Sequence, residues 1–256
     1  MIFFDGIFGF SESGMTRYLI TSNHNQFAAT LIPTLLVAHV RYYYKANKMS
    51  LLILHIIAVL TVLIPGSMTA TVSILLWIIY FYFFRASRFK KIVIYCIAGG
   101  IIFFFIIFIL LPSYKFDNNL VSGFVEFIGK DMTFSNRTVI WIRTIAEIIE
   151  KPIMGEGLYS REWGEVYIGS INAHNIILQL LLQGGVILLS LFSILLGYVI
   201  KKIVKHDNIE YKLLVLISIV LFFLMSMFEV YNYNMLFIYI IILYVASFYE
   251  NEYEIS

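Results

Sequence analysis

The sequence predicts an all-α, polytopic membrane protein of about seven transmembrane helices, with one large external loop that contains an amphipathic helix. Three observations carry this reading. The 256 residues are 61% hydrophobic and only 13% charged, against about 45–50% apolar and about 25% charged in a soluble domain. The apolar residues gather into runs close to bilayer length. The basic residues gather in three short loops that fall on one side of the membrane when seven spans are drawn.

A spanning helix needs about 20 mostly apolar residues. The candidate runs are Gln26–Val40, Leu51–Pro65, Thr69–Phe84, Ile92–Leu111, Ile176–Ile200, Leu213–Phe228 and Met235–Tyr249. The second and third are short and separated by Pro65-Gly66-Ser67, a turn signal, so they read as a tight hairpin. The loop 41–48 carries Arg41, Lys45 and Lys48. The loop 85–91 carries Arg85, Arg88, Lys90 and Lys91, and the loop 201–212 carries Lys201, Lys202, Lys205 and Lys212. Basic loops mark the cytoplasmic side. The N-terminal segment, the turn at Gly66, the loop 112–171 and the link Glu229–Asn234 then face outside.

The chain reads as a single membrane domain over 1–256, with four spans in 26–111, an external loop in 112–175 and three spans in 176–249. This topology starts the chain outside, as if Met1 fell within an external loop of a longer protein. The opening MIFFDGIFGFSESG lacks the basic segment and uninterrupted apolar core of a cleavable signal peptide.

Composition also excludes function classes. A net charge of +2 gives no nucleic-acid footprint. One cysteine, Cys96, can form neither an internal disulfide nor a metal cluster. The sequence holds no H-E-x-x-H, phosphate-binding glycine loop, C-x-x-C pair or acidic metal-binding cluster. Neither a metal nor a cofactor is expected, and the short basic inner loops leave no room for a cytosolic nucleotide site.

Attention therefore falls on the external loop. Loops longer than about 12–15 residues are usually functional or disordered, and this one has a helix pattern inside it. Asn136–Lys151 reads as a helix with Ser135 or Asn136 as N-cap and Pro152 as its stop. Val139, Ile142, Ile145, Ala146 and Ile149 form an apolar stripe at helical spacing, suited to the bilayer surface. Arg137 falls in the first turn, where the helix dipole disfavours a cation. That placement directs it toward an anion; the plainer reading is a surface arginine among lipid headgroups.

Gly155 and Gly157 permit a tight turn after the helix. Asn172 reads as the cap of the next helix, with Ala173, His174 and Asn175 in its first turn. Free N–H groups there favour anions, and a histidine there is suited to acid–base work. The alternative is an interfacial histidine that only hydrogen-bonds. His39 and His55 read as packing or interfacial residues near inner span ends, His206 as a loop residue, and His24 as a weaker external candidate. Glu229 is an ionisable group near membrane depth, a functional candidate by default, or else a wet carboxylate at the edge. Tyr159, Trp163 and Tyr167 suit either a sugar platform or an interfacial aromatic belt. A sugar-transfer enzyme working outside would need a donor already carried across, such as a sugar on a lipid diphosphate, and external arginines with a histidine suit that anion.

The order Arg137, Trp141, Pro152, Gly155-x-Gly157, His174-Asn175 and Gly184-Gly185, with Arg17 and Asn25 upstream, resembles the O-antigen ligase/polymerase family over about residues 14 to 245. The resemblance implies a glycosyltransferase C-like membrane enzyme that needs no metal or cofactor. It would move glycan from an undecaprenyl-diphosphate carrier to a glycan or lipid acceptor, at the outer face of a bacterial cytoplasmic membrane. The product would be O-antigen, capsule or exopolysaccharide, and breadth of the family favours a polymerase. His174 and Arg137 would be catalytic. Arg17, Asn25, Gly155, Gly157 and Asn175 would bind substrate. Partners would be the lipid-linked donor, the acceptor, membrane lipids and other polysaccharide-assembly proteins, with no nucleic acid.

Two features depart from the family pattern. Met68 follows Ser67 where many members carry arginine, and the chain corresponds to the C-terminal portion of commonly longer proteins. The competing readings are a transporter and a non-catalytic scaffold of envelope polysaccharide synthesis, or an inactive fragment of the family. The spans carry no paired acidic and basic relay, which argues against transport.

Overall fold

The computed structural model describes residues 10–12, 15–17, 26–44, 48–63, 68–106, 109, 137–231 and 233–248. The expectations for Asn25, for the Pro65–Ser67 turn and for a cap at Ser135 or Asn136 lie outside them. The order is β1 (Phe10–Glu12), β2 (Met15–Arg17), α1 (Gln26–Tyr44), α2 (Lys48–Leu63), α3 (Met68–Ile79, continued by a π-helical turn Tyr80–Phe84), α4 (Lys90–Phe105), α5 (Arg137–Glu150), α6 (Arg161–Tyr167), α7 (Ile176–Val204), α8 (Ile209–Ser226) and α9 (Tyr233–Ala246). The class is helical, as expected. Among the described residues there is also a small antiparallel hairpin that pairs Phe10 with Arg17 and Glu12 with Met15.

Each apolar run lies largely within a helix. By length and composition α7 and α8 are apolar enough to cross a membrane, while α2, α3 with its π turn, and α9 are shorter apolar helices. The bounds shift at two places. Asn208 caps α8, its Oδ1 accepting from the backbone N–H of Glu210 and of Tyr211, both at 3.0 Å, so α8 starts before Leu213. It also stops at Ser226, short of the expected Phe228, and releases Met227, Phe228 and Glu229 from helical geometry.

The chain divides into two compact units. In the first, α1 packs on α2 and α9, and α2 packs on α3. Leu31, Ile32, Leu35 and Leu36 of α1 are buried. The buried histidines there find partners within the protein, as an apolar surrounding demands. His39 Nε2 lies 3.2 Å from His55 Nε2 and accepts from the Trp77 indole at 3.2 Å, while His55 Nδ1 lies 3.1 Å from the Tyr82 hydroxyl. Both histidines are buried, so of the two roles expected for them, packing or the interface, they take the first. Tyr239 donates to Ser218 at 2.9 Å and Tyr211 to the Ala246 carbonyl at 2.8 Å.

The second unit comprises 96–195 and 226–230. Its core is Ile109, Trp141, Ala173 and Leu178, flanked by Phe104, Phe105, Ile145 and Ile148. α5 is apolar on two faces, and Ile145 of the expected stripe joins the inner one. The face that packs inward carries Ile140, Trp141 and Thr144, whereas Val139, Ile142 and Ile149 point outward, Ile149 being 71% exposed. Thr144 enters this face because its hydroxyl donates to the Ile140 carbonyl at 2.7 Å.

α7 is kinked at Gly185, whose backbone (φ 61°, ψ −159°) is not helical. An unbroken helix would pair the carbonyls of Leu182 and Gln183 with the N–H groups of Val186 and Ile187. Here the turn after α5 engages all four groups. Val186 N–H donates to the Pro152 carbonyl at 2.9 Å and Ile187 N–H to that of Ile153 at 3.3 Å. Glu156 N–H donates to the Leu182 carbonyl at 2.7 Å and Gly157 N–H to that of Gln183 at 2.9 Å. The approach is too close for side chains. A Cβ at Gly155 would lie 2.6 Å from the Leu182 carbonyl oxygen, and one at Gly185 would collide with the Ile153 carbonyl.

Candidate functional site

The expected catalytic pair lies in the second unit. Arg137 opens α5 and His174 stands just before α7. Glu229 lies between them, in the link released by the early end of α8. Its Oε2 is 3.6 Å from Arg137 and its Oε1 is 3.4 Å from His174 Nδ1. The carboxylate is 8% exposed, against 22% for the Arg137 side chain and 24% for that of His174. Arg137 also donates to the carbonyl of Phe228. The anion that the unfavourable first-turn position of Arg137 pointed to is therefore supplied by the chain itself.

The turn that carries His174 is built from its neighbours. Asn172 does not cap α7. Its Oδ1 accepts from His174 N–H at 2.9 Å within the preceding turn. Asn175 is the cap, its Oδ1 accepting from Ile177 N–H at 3.0 Å and Leu178 N–H at 3.1 Å, the usual N-cap geometry. His174 therefore sits outside the first turn in the left-handed region, at φ 47°. A non-glycine residue there costs about 1–3 kcal/mol and persists only where its surroundings over-determine it. They do so here. Trp141 donates its indole N–H to the Ala173 carbonyl at 3.1 Å, and Gln179 Oε1 accepts from Ala173 N–H at 2.8 Å.

Arg137 and Trp141 are four residues apart, hence on one face of α5. One reaches the carboxylate and the other fixes the histidine turn. The second ring nitrogen, Nε2, faces the Ser170 hydroxyl at 3.2 Å, which shows that an OH group fits against it. The imidazole thus has a carboxylate near one nitrogen and a hydroxyl against the other, an arrangement in which it could act as a general base.

Asn175, Gly155 and Gly157 lie in the same unit as this pair. Asn175 is fully buried, and its amide also donates to the Met227 carbonyl at 3.2 Å, so both ends of the side chain are engaged within the protein. It joins the start of α7 to the link that carries Glu229. Gly155 and Gly157 form the turn docked on the α7 kink. Arg17 ends β2 in the first unit. Sequence reasoning singled out Glu229 by itself but did not join it to His174, and it missed Ser170, for which no local signal exists.

On α6, Trp163 stacks on Tyr167, with ring centroids 4.7 Å apart, and meets the Tyr159 ring at a tilt, 4.8 Å away. Ser160 caps this helix by accepting from Trp163 N–H at 3.2 Å. The Tyr159 hydroxyl pairs with Gln179, the residue that also holds Ala173. Burial pushes the Tyr159 phenol above its ordinary range, and the bond from Gln179 offsets part of that rise. Among the described residues no group of three or more His, Cys, Asp or Glu could hold a metal ion.

A family model described as O-Antigen ligase matches residues 53–193. That stretch runs from α2 into α7 and includes Arg137, Trp141, the Pro152–Gly157 turn and His174. No curated protein and no solved structure matches the chain. The family match covers more than half of the sequence, and the chain belongs to the O-antigen ligase family, membrane-associated glycosyltransferases of the ligase/polymerase type.

Proposed function

We propose that this chain transfers glycan from an undecaprenyl-diphosphate carrier to a hydroxyl of a glycan or lipid acceptor at the outer face of the cytoplasmic membrane. The observation that carries the proposal is the placement of His174, with Nε2 3.2 Å from a hydroxyl oxygen and Nδ1 3.4 Å from the Glu229 carboxylate. In the reaction the acceptor oxygen attacks the anomeric carbon from the face opposite the carrier. The bond from that carbon to the phosphate oxygen breaks, and its electron pair leaves with the lipid diphosphate. His174 Nε2 takes the acceptor proton. Arg137 opposes the charge that develops on the leaving diphosphate, which is the main catalytic contribution in such a transfer.

The basic loops support seven spans with 112–171 outside, the side where only a lipid-linked donor is at hand. Arg17 and Asn25 are proposed as further donor contacts. Gly155, Gly157 and Asn175 act by holding the turn and the start of α7. The acceptor is a growing repeat-unit chain or a lipid-anchored glycan, and other polysaccharide-assembly proteins are natural partners.

The test is complementation of a bacterial strain that lacks its own polymerase or ligase. Wild type is expected to restore surface glycan on a gel, and His174→Ala, expressed to the same level, to give none. Equal restoration by both would overturn the role of His174.

A further inference from the structure

We propose that Glu229 is an exchangeable counter-ion, which holds Arg137 while no donor is bound and gives it up to the donor diphosphate, remaining with His174 during transfer. This rests on the reading of Arg137 as a diphosphate contact and assigns Glu229 as a positioning residue for that same site.

The geometry points to exchange. A carboxylate that is 8% exposed must be compensated, because an unpaired buried charge is costly. Arg137 supplies that compensation, its guanidinium facing Oε2 from the first turn of α5, while Oε1 faces the His174 imidazole from the turn before α7. Neither contact is tight. The separations of 3.6 and 3.4 Å exceed the roughly 2.7–2.9 Å of a strong charge-assisted hydrogen bond. A diphosphate offers more negative charge than one carboxylate, and guanidinium binds phosphate oxygens through paired, charge-assisted bonds. It therefore competes well for Arg137.

The backbone accommodates such a change. Arg137 already donates to the Phe228 carbonyl, next to Glu229 in the chain, and Asn175 holds Met227 through its carbonyl. The link stays in place when one ion pair opens. Once Arg137 has turned to the diphosphate, Glu229 stays beside His174 and stabilises the imidazolium formed as the acceptor proton arrives. Donor binding and readiness of the base are thereby joined through one side chain.

The experiment uses the purified full-length chain in nanodiscs, with inorganic pyrophosphate as the probe and calorimetry as the readout. Wild type is expected to bind pyrophosphate, and Arg137→Gln to lose that binding. Glu229→Gln, which keeps shape and removes charge, is expected to bind about tenfold more tightly than wild type, a factor that corresponds to 1.4 kcal/mol. Transfer assayed on the same variant should show a lower KM for donor together with a lower kcat, a split that simple loss of structure does not give.

Glu229→Gln binding no tighter than wild type, with Arg137→Gln still defective, would overturn the exchange and leave the diphosphate reading intact. Wild-type binding that does not depend on Arg137 would overturn both. If Glu229→Gln does not fold, Glu229→Asp carries the test. Its shorter side chain reaches Arg137 less well, so tighter binding than wild type is expected and equal or weaker binding refutes the exchange.

Discussion

The indole N–H of Trp141 donates to the carbonyl of Ala173 at 3.1 Å, so the helix that presents Arg137 also holds the residue before His174. Trp141→Phe removes the donor but keeps an aromatic ring in the core. A buried carbonyl left without its partner costs about 1–3 kcal/mol. The left-handed conformation of His174 also loses one of the bonds that enforce it. Glycan transfer should therefore fall by about tenfold or more, beyond what the lower Tm explains at the assay temperature. Full activity in Trp141→Phe would show that Gln179 and Asn172 hold the turn without it.

Gly155 and Gly157 look equivalent in the sequence and are not equivalent in the structure. Both have positive φ, 66° and 79°, but a Cβ at Gly155 meets backbone atoms of residues 182–184 within 2.7 Å, whereas one at Gly157 meets nothing within 4 Å. Gly157→Ala should cost only the backbone penalty of about 1–2 kcal/mol. Gly155→Ala should cost more, since the turn must separate from the α7 kink and give up the bonds that join them. Thermal unfolding of the two variants side by side checks the order, and the reverse order would refute the docking.

The features read correctly from the sequence are those written locally. Apolar runs mark helices because length and composition need no knowledge of neighbours, and the spacing of Arg137, Trp141, Pro152 and His174 places them without knowledge of packing. The α5 stripe was only half of the pattern, because the helix is apolar on two faces. Periodicity locates both Val139, Ile142 and Ile149 and the opposing Ile140, Trp141, Ile145 and Ile148, but does not say which meets protein. Asn172 and Asn175 are both good caps by composition, and the choice depends on contacts with Met227. Glu229 joined the site only because α8 stops at Ser226, with no glycine or proline there to signal the end.

Tyr159 predicts alkaline sensitivity. Burial raises its phenol above the ordinary value near 10, so the folded state disfavours the ionised form. Its contribution is intact below about pH 10 and is lost as pH rises from there toward the folded value. Tyr159→Phe removes the titrating group and also the bonds to Gln179, the latter at every pH. The variant should be less stable than wild type at neutral pH, and that gap should narrow above about pH 10. Paired unfolding curves at neutral and strongly alkaline pH test this, and a constant gap would contradict it.

Ser170 separates two chemistries. Its hydroxyl lies 3.2 Å from His174 Nε2, with Glu229 on the far side of the ring, and so the three residues also match the order of a nucleophile, base and orienting acid. In a single inverting displacement Ser170 only occupies the position that the acceptor hydroxyl takes. Ser170→Ala should then retain transfer within about threefold of wild type. A covalent glycosyl-serine route would instead lose about as much in Ser170→Ala as in His174→Ala, since residues that act as one catalytic unit fail together. It would also retain the anomeric configuration, because two inversions cancel. Activity of Ser170→Ala, read beside the configuration of the new linkage, decides between them. The single displacement is favoured because Arg137, the charge that a leaving diphosphate needs, already stands on the other side of Glu229.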